Sequence, residues 1–493
     1  MNPLKKLVSQ TAVYGLSSIV GRLLGYLLVP IYTRVLAEAS YGEVAELYSY
    51  IALILIVLTY GMETSFFRFA KSTRESKKVF GTAFISIFVS SIFFLLIIAF
   101  YKQGIADIIQ YAAKPEYIVY VGLILFFDSI NTIPYANLRL EDRAKRFVAI
   151  RLTGIFSNLG LNLLFILFIP FLISRYGDNS IVQWISKYYD ADNKIDYIFI
   201  SNVISSGLQT LMFVPEWLRL RFTFDFSLWK KMMVYALPLL IFGLAGAVNE
   251  VIDRVLLKYL LPENIAMAQV GIYAAVYKVS IIMTIIIQAY RYAAEPFFFA
   301  QEKHKDAKLM YANMMKYFVM VMSIVFLSTM LYMDIVIYFV GERFRSGAPV
   351  IPILLMANLF LGIYYNLSVW YKLTDKTKFG AYISIFGALI TLSLNFYWIP
   401  RIGYTGSAWA TFICYASMTI VSFLIGRKYY PIPYDLKRIL SYLGLAVLLY
   451  FASLQLQIDS QIIRLSVNTL ILLGYMAVLF MFEKKNFLPK VNK

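Results

Sequence analysis

Charged residues stand where an apolar chain makes them expensive. Arg22, Asp128 and Lys278 fall near the middle of long apolar stretches, and Glu46, Glu63, Glu250, Asp253, Arg254, Arg291 and Glu295 fall nearer their ends. An ionisable group at the centre of a bilayer costs about 2.5–3.5 kcal/mol on insertion scales, so it persists only where it faces protein, water or cargo. Arg22 and Lys278 have no opposite charge one helical turn away, and cations so placed suit an anionic head group. The carboxylates Glu63, Asp128, Glu250, Asp253 and Glu295 suit ion coupling or gating, with Na⁺ or H⁺ as the coupling ion. Residues four apart share a helix face, so Glu250 with Arg254, and Arg291 with Glu295, are expected to pair locally. Asp128 is the alternative counter-charge for Arg22 or Lys278.

Other chemistry is scarce. The 493 residues include one cysteine, Cys414, and one histidine, His304, which sits between two lysines. No intrachain disulfide can form, and neither a Cys/His metal site nor a Ser-His-Asp triad is expected. No enzyme activity, metal or cofactor is expected beyond the coupling ion. The net charge of +18 would suit nucleic acid in a soluble protein. No run here joins basic residues to stacking aromatics, so lipid head groups and topology explain the charge and no nucleic-acid partner is expected.

These residues must be carried by membrane helices. Apolar types make up 60% of the chain and charged types 15%, against roughly 45–50% and 25% in soluble domains. A spanning helix needs about 20 mostly apolar residues. Fourteen stretches qualify, at 10–33, 44–67, 79–101, 117–138, 147–173, 197–216, 231–253, 267–292, 310–340, 349–371, 379–400, 404–426, 437–456 and 462–482. The first is expected to be retained as a span, because Arg22 interrupts it and no small-residue cleavage site follows. With both termini cytoplasmic, 30 of the 46 lysines and arginines fall on inner segments and 11 on outer ones, as the positive-inside rule requires. The longest outer connection, between Ser174 and Asp196, is expected to hold a short surface helix.

The chain repeats itself. Val13-Tyr14-Gly15-Leu16 matches Val234-Tyr235-Ala236-Leu237, and Arg34-Val35-Leu36 matches Arg254-Val255-Leu256. Gly42, Ala45 and Tyr48 match Gly271, Ala274 and Tyr277; Tyr60, Phe67, Phe69 and Ala70 match Tyr290, Phe297, Phe299 and Ala300. Leu140, Asp142, Lys145, Gly154, Leu161 and Asn162 match Leu373, Asp375, Lys378, Gly387, Leu394 and Asn395. Six spans separate equivalent positions, so both copies insert in the same sense, as in parallel-repeat transporters. The expected fold is an all-α polytopic membrane protein: two pseudo-symmetric six-helix bundles, 1–222 and 223–428, with helices 13 and 14 and a cytoplasmic tail in 429–493. A cleft between such bundles opens to alternate sides when one rocks against the other. Gly21, Gly25 and Pro30 in span 1, and Pro238, Gly243 and Gly246 in span 7, fit either small-residue packing or a bending hinge.

Gly21-Arg22-Leu23-Leu24-Gly25, Pro30-Ile31-Tyr32-Thr33-Arg34, Tyr60-Gly61-Met62-Glu63-Thr64-Ser65-Phe66-Phe67-Arg68-Phe69 and Tyr290-Arg291-Tyr292-Ala293-Ala294-Glu295-Pro296-Phe297 carry a resemblance. With the 6 + 6 + 2 layout, they resemble the bacterial polysaccharide (O-antigen) flippases of the multidrug/oligosaccharidyl-lipid/polysaccharide (MOP) exporter superfamily. The resemblance implies a multi-pass protein of the bacterial cytoplasmic (inner) membrane that moves undecaprenyl-diphosphate-linked oligosaccharide to the outer leaflet for lipopolysaccharide or other surface polysaccharide. It implies a cationic cavity, supplied here by Arg22 and Lys278 with Arg291 and Arg254. The implied partners are the lipid-linked oligosaccharide, membrane lipids, a polysaccharide polymerase and glycosyltransferases. The alternatives are a multidrug or cation antiporter of the same superfamily and a lipid II flippase.

Overall fold

The computed structural model describes residues 19–21, 23–72, 75–218, 223–302, 304–456 and 458–487. Among these residues every regular element is helical. Twelve helices are long and apolar enough to cross a membrane, and a thirteenth span arises if the bent pair Glu263–Val279 and Ile281–Gln301 counts as one. These thirteen correspond to expected spans 2 to 14. Of expected span 1, residues 10–18 and Arg22 lie outside the described residues, and the helix Leu28–Val35 covers its end. Span 9 is shorter than expected: its helix stops at Leu331, before Asp334, which pairs with Arg464 at 2.8 Å.

The chain divides into two compact units, Met1–Gly271 and Ile272–Lys493. The Phe226–Leu260 helix, assigned by the sequence repeat to the second half, packs within the first unit on Glu38–Thr59, Met62–Ser72 and Ser76–Ile108. One core of the first unit gathers Met62, Phe66, Phe80, Phe84, Ile133 and Met232. Polar residues knit its helices internally: Ser91 and Ser129 share a hydrogen bond of 2.7 Å, and Asn131 Nδ2 donates to Thr210 Oγ1 at 2.9 Å. Such bonds between membrane helices contribute about 0.6 kcal/mol each, up to about 1.7.

Two glycine positions decide helix geometry. Tyr60 and Gly61 both take left-handed backbone (φ 33° and 71°), which ends the first segment of span 2. A Cβ on Gly61 would stand 2.8 Å from the carbonyl oxygen of Ala236, so glycine serves both the turn and the close approach of the Phe226–Leu260 helix. Gly42 and Gly271, equivalent in the repeat, face each other reciprocally. A Cβ on Gly42 would lie 2.1 Å from the Met267 carbonyl oxygen, and one on Gly271 would lie 1.9 Å from the Glu38 carbonyl oxygen. Glu38 and Met267 are themselves equivalent at the same offset, so the contact has the symmetry of the repeat. Neither backbone oxygen can yield like a flexible side chain. Gly42→Leu is therefore expected to remove most folded protein from the membrane, read as monodisperse yield in detergent; wild-type yield would show the crossing to be loose.

The repeat shows again at its matched arginines. Arg34 Nη1 donates to the carbonyl of Pro30 at 2.7 Å, and Arg254 Nη1 to that of Glu250 at 2.8 Å, each four residues back.

Spans 13 and 14 dock within the second unit on the Ala307–Leu331 helix. Glu483 is fully buried and accepts from three groups: Lys316 Nζ at 2.7 Å, Arg438 Nη1 at 3.0 Å and Tyr442 Oη at 2.6 Å. Asn468 Nδ2 reaches the Leu331 carbonyl at 2.6 Å, and Tyr475 Oη donates to Ser323 Oγ at 2.7 Å.

At the entry to the Phe226–Leu260 helix, Asp225 caps the Leu228 amide at 2.9 Å and pairs with Lys78 at 2.8 Å. The Lys78 hydrogen bond, with the cap, holds the Asp225 carboxyl below the usual carboxylate range. Its contribution is present above that ordinary range and is lost as pH falls through the lowered value.

Candidate functional site

In the second unit, span 8 breaks at Ser280, and its two segments, Glu263–Val279 and Ile281–Gln301, are bent by 47°. Ser280 Oγ donates to the Tyr277 carbonyl at 2.7 Å and accepts from Asn358 Nδ2 at 3.1 Å. A serine bonding back to its own helix bends it, and Asn358 fixes the bend against the Ile351–Leu367 helix.

The segment past the bend carries a charged cluster. Arg291 Nε meets Glu295 Oε1 at 3.3 Å, and Lys372 Nζ meets the same oxygen at 2.9 Å. The Arg291 guanidinium lies over the Tyr365 ring, 4.1 Å from its centre. Tyr290 Oη donates to Asn366 Oδ1 at 2.5 Å, holding the neighbouring helices in register. Tyr290, Arg291, Glu295, Phe298, Tyr365 and Lys372 line one pocket. Two cations share a single carboxylate there, which leaves one positive charge over, and tyrosine rings stand beside it. All three charged side chains are half-exposed, between 29% and 38%, so the pocket can exchange its counter-ion with a ligand.

The first unit carries a related pair. Arg139 donates to Glu63 and lies over the Phe67 ring at 5.1 Å. Leu140 matches Leu373 in the repeat, so Arg139 corresponds to Lys372. In each half, a cation at the end of the fourth repeat helix holds a carboxylate on the distal segment of the second.

Asp128 lies in a polar seam of the first unit. Ser206 Oγ donates to its Oδ1 at 2.8 Å. Asn202 Nδ2 donates to Tyr48 Oη at 3.0 Å, and Tyr135 Oη to Gln209 Oε1 at 2.6 Å. Arg151 acts on Asp128 electrostatically. Asn131 Oδ1, one turn along from Asp128, is buried without a hydrogen-bond partner among the described residues.

The expected residues fare unequally. Arg22 lies outside the described residues. Lys278 is half-buried in the last turn before the bend and has interactions of its own, so it is not the partnerless cation expected. Arg291 and Glu295 pair as their spacing predicts. The expected pairing of Arg254 with the Glu250 carboxylate is corrected: Arg254 is buried, its Nη1 meets Asp253 Oδ1 at 3.1 Å, and it takes only the backbone carbonyl of Glu250. The Glu250 side chain is exposed, and the adjacent carboxylate wins because it already accepts the Arg254 amide at 2.8 Å.

Sequence reasoning missed Lys372 and Arg139, although the Leu140–Leu373 match placed them at equivalent positions. It also missed the partners of Glu46. That fully buried carboxylate accepts from Lys258 Nζ at 3.1 Å and Tyr111 Oη at 2.6 Å, both on Oε2.

Comparison with known proteins fits this architecture. Residues 7–139 match the family model described as polysaccharide biosynthesis protein. No curated protein matches the chain. Among solved structures, a lipid II flippase, MurJ, in an inward-closed conformation superposes with a TM-score of 0.69 at 12% identity, covering 94% of this chain and 98% of that one. An inward-facing multidrug-resistance MATE transporter of the MOP superfamily gives 0.63 at 15%, covering 88% and 95%. The chain shares the fold of these solved proteins. A further MOP transporter, from Pyrococcus furiosus, gives 0.56 at 15%, covering 87% and 98%. With its long apolar helices the chain is a multi-pass membrane protein, and these neighbours are transporters and flippases, not enzymes.

Two charged features of the chain differ in character. The Arg291–Glu295–Lys372 pocket is cationic and partly open. The Asp128 seam holds a single carboxylate among neutral side chains, with the Ser206 hydroxyl donating to it and Arg151 acting on it electrostatically.

Proposed function

We propose that this protein is a flippase carrying undecaprenyl-diphosphate-linked oligosaccharide repeat units across the bacterial cytoplasmic (inner) membrane by alternating access, for O-antigen, lipopolysaccharide or related surface polysaccharide. The observation that carries this reading is the match of residues 7–139 to the polysaccharide biosynthesis model, because the fold alone is shared with drug exporters. The pocket chemistry supports it. A diphosphate can replace Glu295 as the partner of Arg291 and Lys372, and Tyr290 and Tyr365 offer ring faces to sugars. Arg22, Lys278 and Arg254 belong to the same proposal as further head-group contacts.

The proposed topology has fourteen spans, both termini inside, repeat-related halves at 1–222 and 223–428, and helices 13 and 14 added in 429–493. With the cell interior negative, outward movement of one negative charge gains about 2.3 kcal/mol per 100 mV across the full field. Na⁺ or H⁺ exchange adds to this through Asp128 first, with Glu63, Glu250, Asp253 and Glu295 as further coupling or gating groups. Asp128→Asn is expected to abolish the dependence of flipping on the ion gradient in proteoliposomes while potential-driven flipping persists. Unchanged ion dependence would remove Asp128 from the coupling path. A polysaccharide polymerase and glycosyltransferases are the proposed partners.

Deletion in a polysaccharide-producing cell tests the reading. Lipid-linked sugar is expected to accumulate on the cytoplasmic leaflet, and drug susceptibility to stay unchanged. Intact surface polysaccharide with raised drug sensitivity would favour the antiporter instead.

A further inference from the structure

The connection between spans 5 and 6 folds into a nine-residue helix, Ser180–Tyr188, whose first turn is capped by Asn179 Oδ1 accepting from the Ile181 amide at 2.9 Å. Ile181, Trp184 and Tyr188, spaced i, i+3 and i+7, share one face. They are 70%, 64% and 69% exposed. Gln183 and Ser186 occupy the opposite face, Lys187 flanks the apolar one, and Val182 is buried against the body of the first unit. The Trp184 and Tyr188 rings meet edge to face at 5.3 Å, and the Lys187 ammonium stands 5.8 Å from the Tyr188 ring.

The helix is held at a set height. Tyr189 Oη donates to the Phe165 carbonyl at 2.7 Å, within the π-helical turn Leu164–Phe168. The Tyr189 ring stacks on Tyr197 at 4.8 Å, and Tyr197 stacks on Phe165 at 5.2 Å. Only residues 177–179 join it to the end of the Ala144–Tyr176 span, and three residues reach at most about 10 Å. That span already exposes Phe168 and Phe171 on its outside, so the apolar face of the short helix continues a lipid-facing surface.

We propose that Ser180–Tyr188 is an interfacial anchor. Its Ile181–Trp184–Tyr188 face lies in the head-group region of the leaflet at the Tyr176 end of the span, with Gln183 and Ser186 turned to water. The occupant of this apolar face is lipid. Tryptophan and tyrosine favour that depth because their rings are amphipathic, and a helix with one apolar and one polar face lies in the interface plane. Tied to spans 5 and 6 through Tyr189 and Tyr197, it fixes the depth at which their ends sit.

Spin labels test this on the full chain in liposomes. With the buried native thiol removed (Cys414→Ala), labels are attached in turn through Ile181→Cys, Trp184→Cys and Gln183→Cys. Accessibility is read to oxygen, which dissolves in lipid, and to a water-soluble nickel chelate. Labels at 181 and 184 are expected to favour oxygen, and the label at 183 to favour nickel, so the depth parameter changes sign across the helix. Equal nickel access at all three positions would place the helix in water and overturn the proposal. So would oxygen exclusion at 181 and 184 with spin–spin broadening between chains, which would make a second copy the occupant.

Discussion

Replacing Arg291 or Lys372 with alanine is expected to lower flipping of a lipid diphosphate by about ten- to a hundred-fold each, since a hydrogen bond to a charged group contributes about 1.5–3 kcal/mol and 1.4 kcal/mol is a factor of ten. Both cations converge on Glu295 Oε1, so each single variant leaves the other neutralised and the pocket without spare positive charge. Arg291→Lys is expected to recover only part of the activity. It keeps the charge but loses the planar group stacked on Tyr365 and the fork that grips phosphate oxygens. Glu295→Gln acts in the opposite sense: it strips the pocket of its resident anion, tightening head-group binding and slowing release. Surface polysaccharide display in complemented cells, normalised to membrane protein level, reads all four variants. Normal display in both alanine variants would separate this pocket from the cargo.

The second large effect concerns stability. Glu483→Ala is expected to destabilise the second unit by about 3–5 kcal/mol, the cost of leaving a buried charge without its partner. Lys316, whose side chain is 4% exposed, would keep its charge and lose its carboxylate, and Tyr442 would lose its acceptor. The double variant Lys316→Met with Glu483→Leu replaces the pair by apolar groups of similar size and is expected to recover most of the loss, because buried ion pairs often exchange for apolar residues at little cost. Thermal unfolding in detergent measures both. A single variant as stable as the parent would mean that spans 13 and 14 are held elsewhere, through Asn468, Tyr475 and Arg464.

The spans were legible because a bilayer demands length and apolarity, and both are written in the chain. The repeat was legible too. Its value shows at Gly42 and Gly271, matched as letters and found back to back, and at Arg34 and Arg254, which make the same bond four residues back. The bend at Ser280 was not legible, since it depends on one serine bonding to its own helix and on Asn358 arriving from another. Ion pairs were legible only within a helical turn. Arg291 with Glu295 obeyed that rule, whereas Arg254 chose its immediate neighbour Asp253. Lys372 lies 77 residues from Glu295, and Lys316 lies 167 from Glu483; periodicity carries no signal at that range. The repeat did carry one, because the Leu140–Leu373 match already aligned Arg139 with Lys372.

The most direct measurement places the purified protein in liposomes holding undecaprenyl-diphosphate-linked oligosaccharide in the inner leaflet alone. A sugar-cleaving enzyme added outside reports each molecule that crosses. The expected result is cleavage that rises with an inside-negative potential and falls in Arg291→Ala and Lys372→Ala. Cleavage no faster than in protein-free liposomes, in a preparation that still exports a cationic drug, would contradict the assignment of a lipid diphosphate as the cargo.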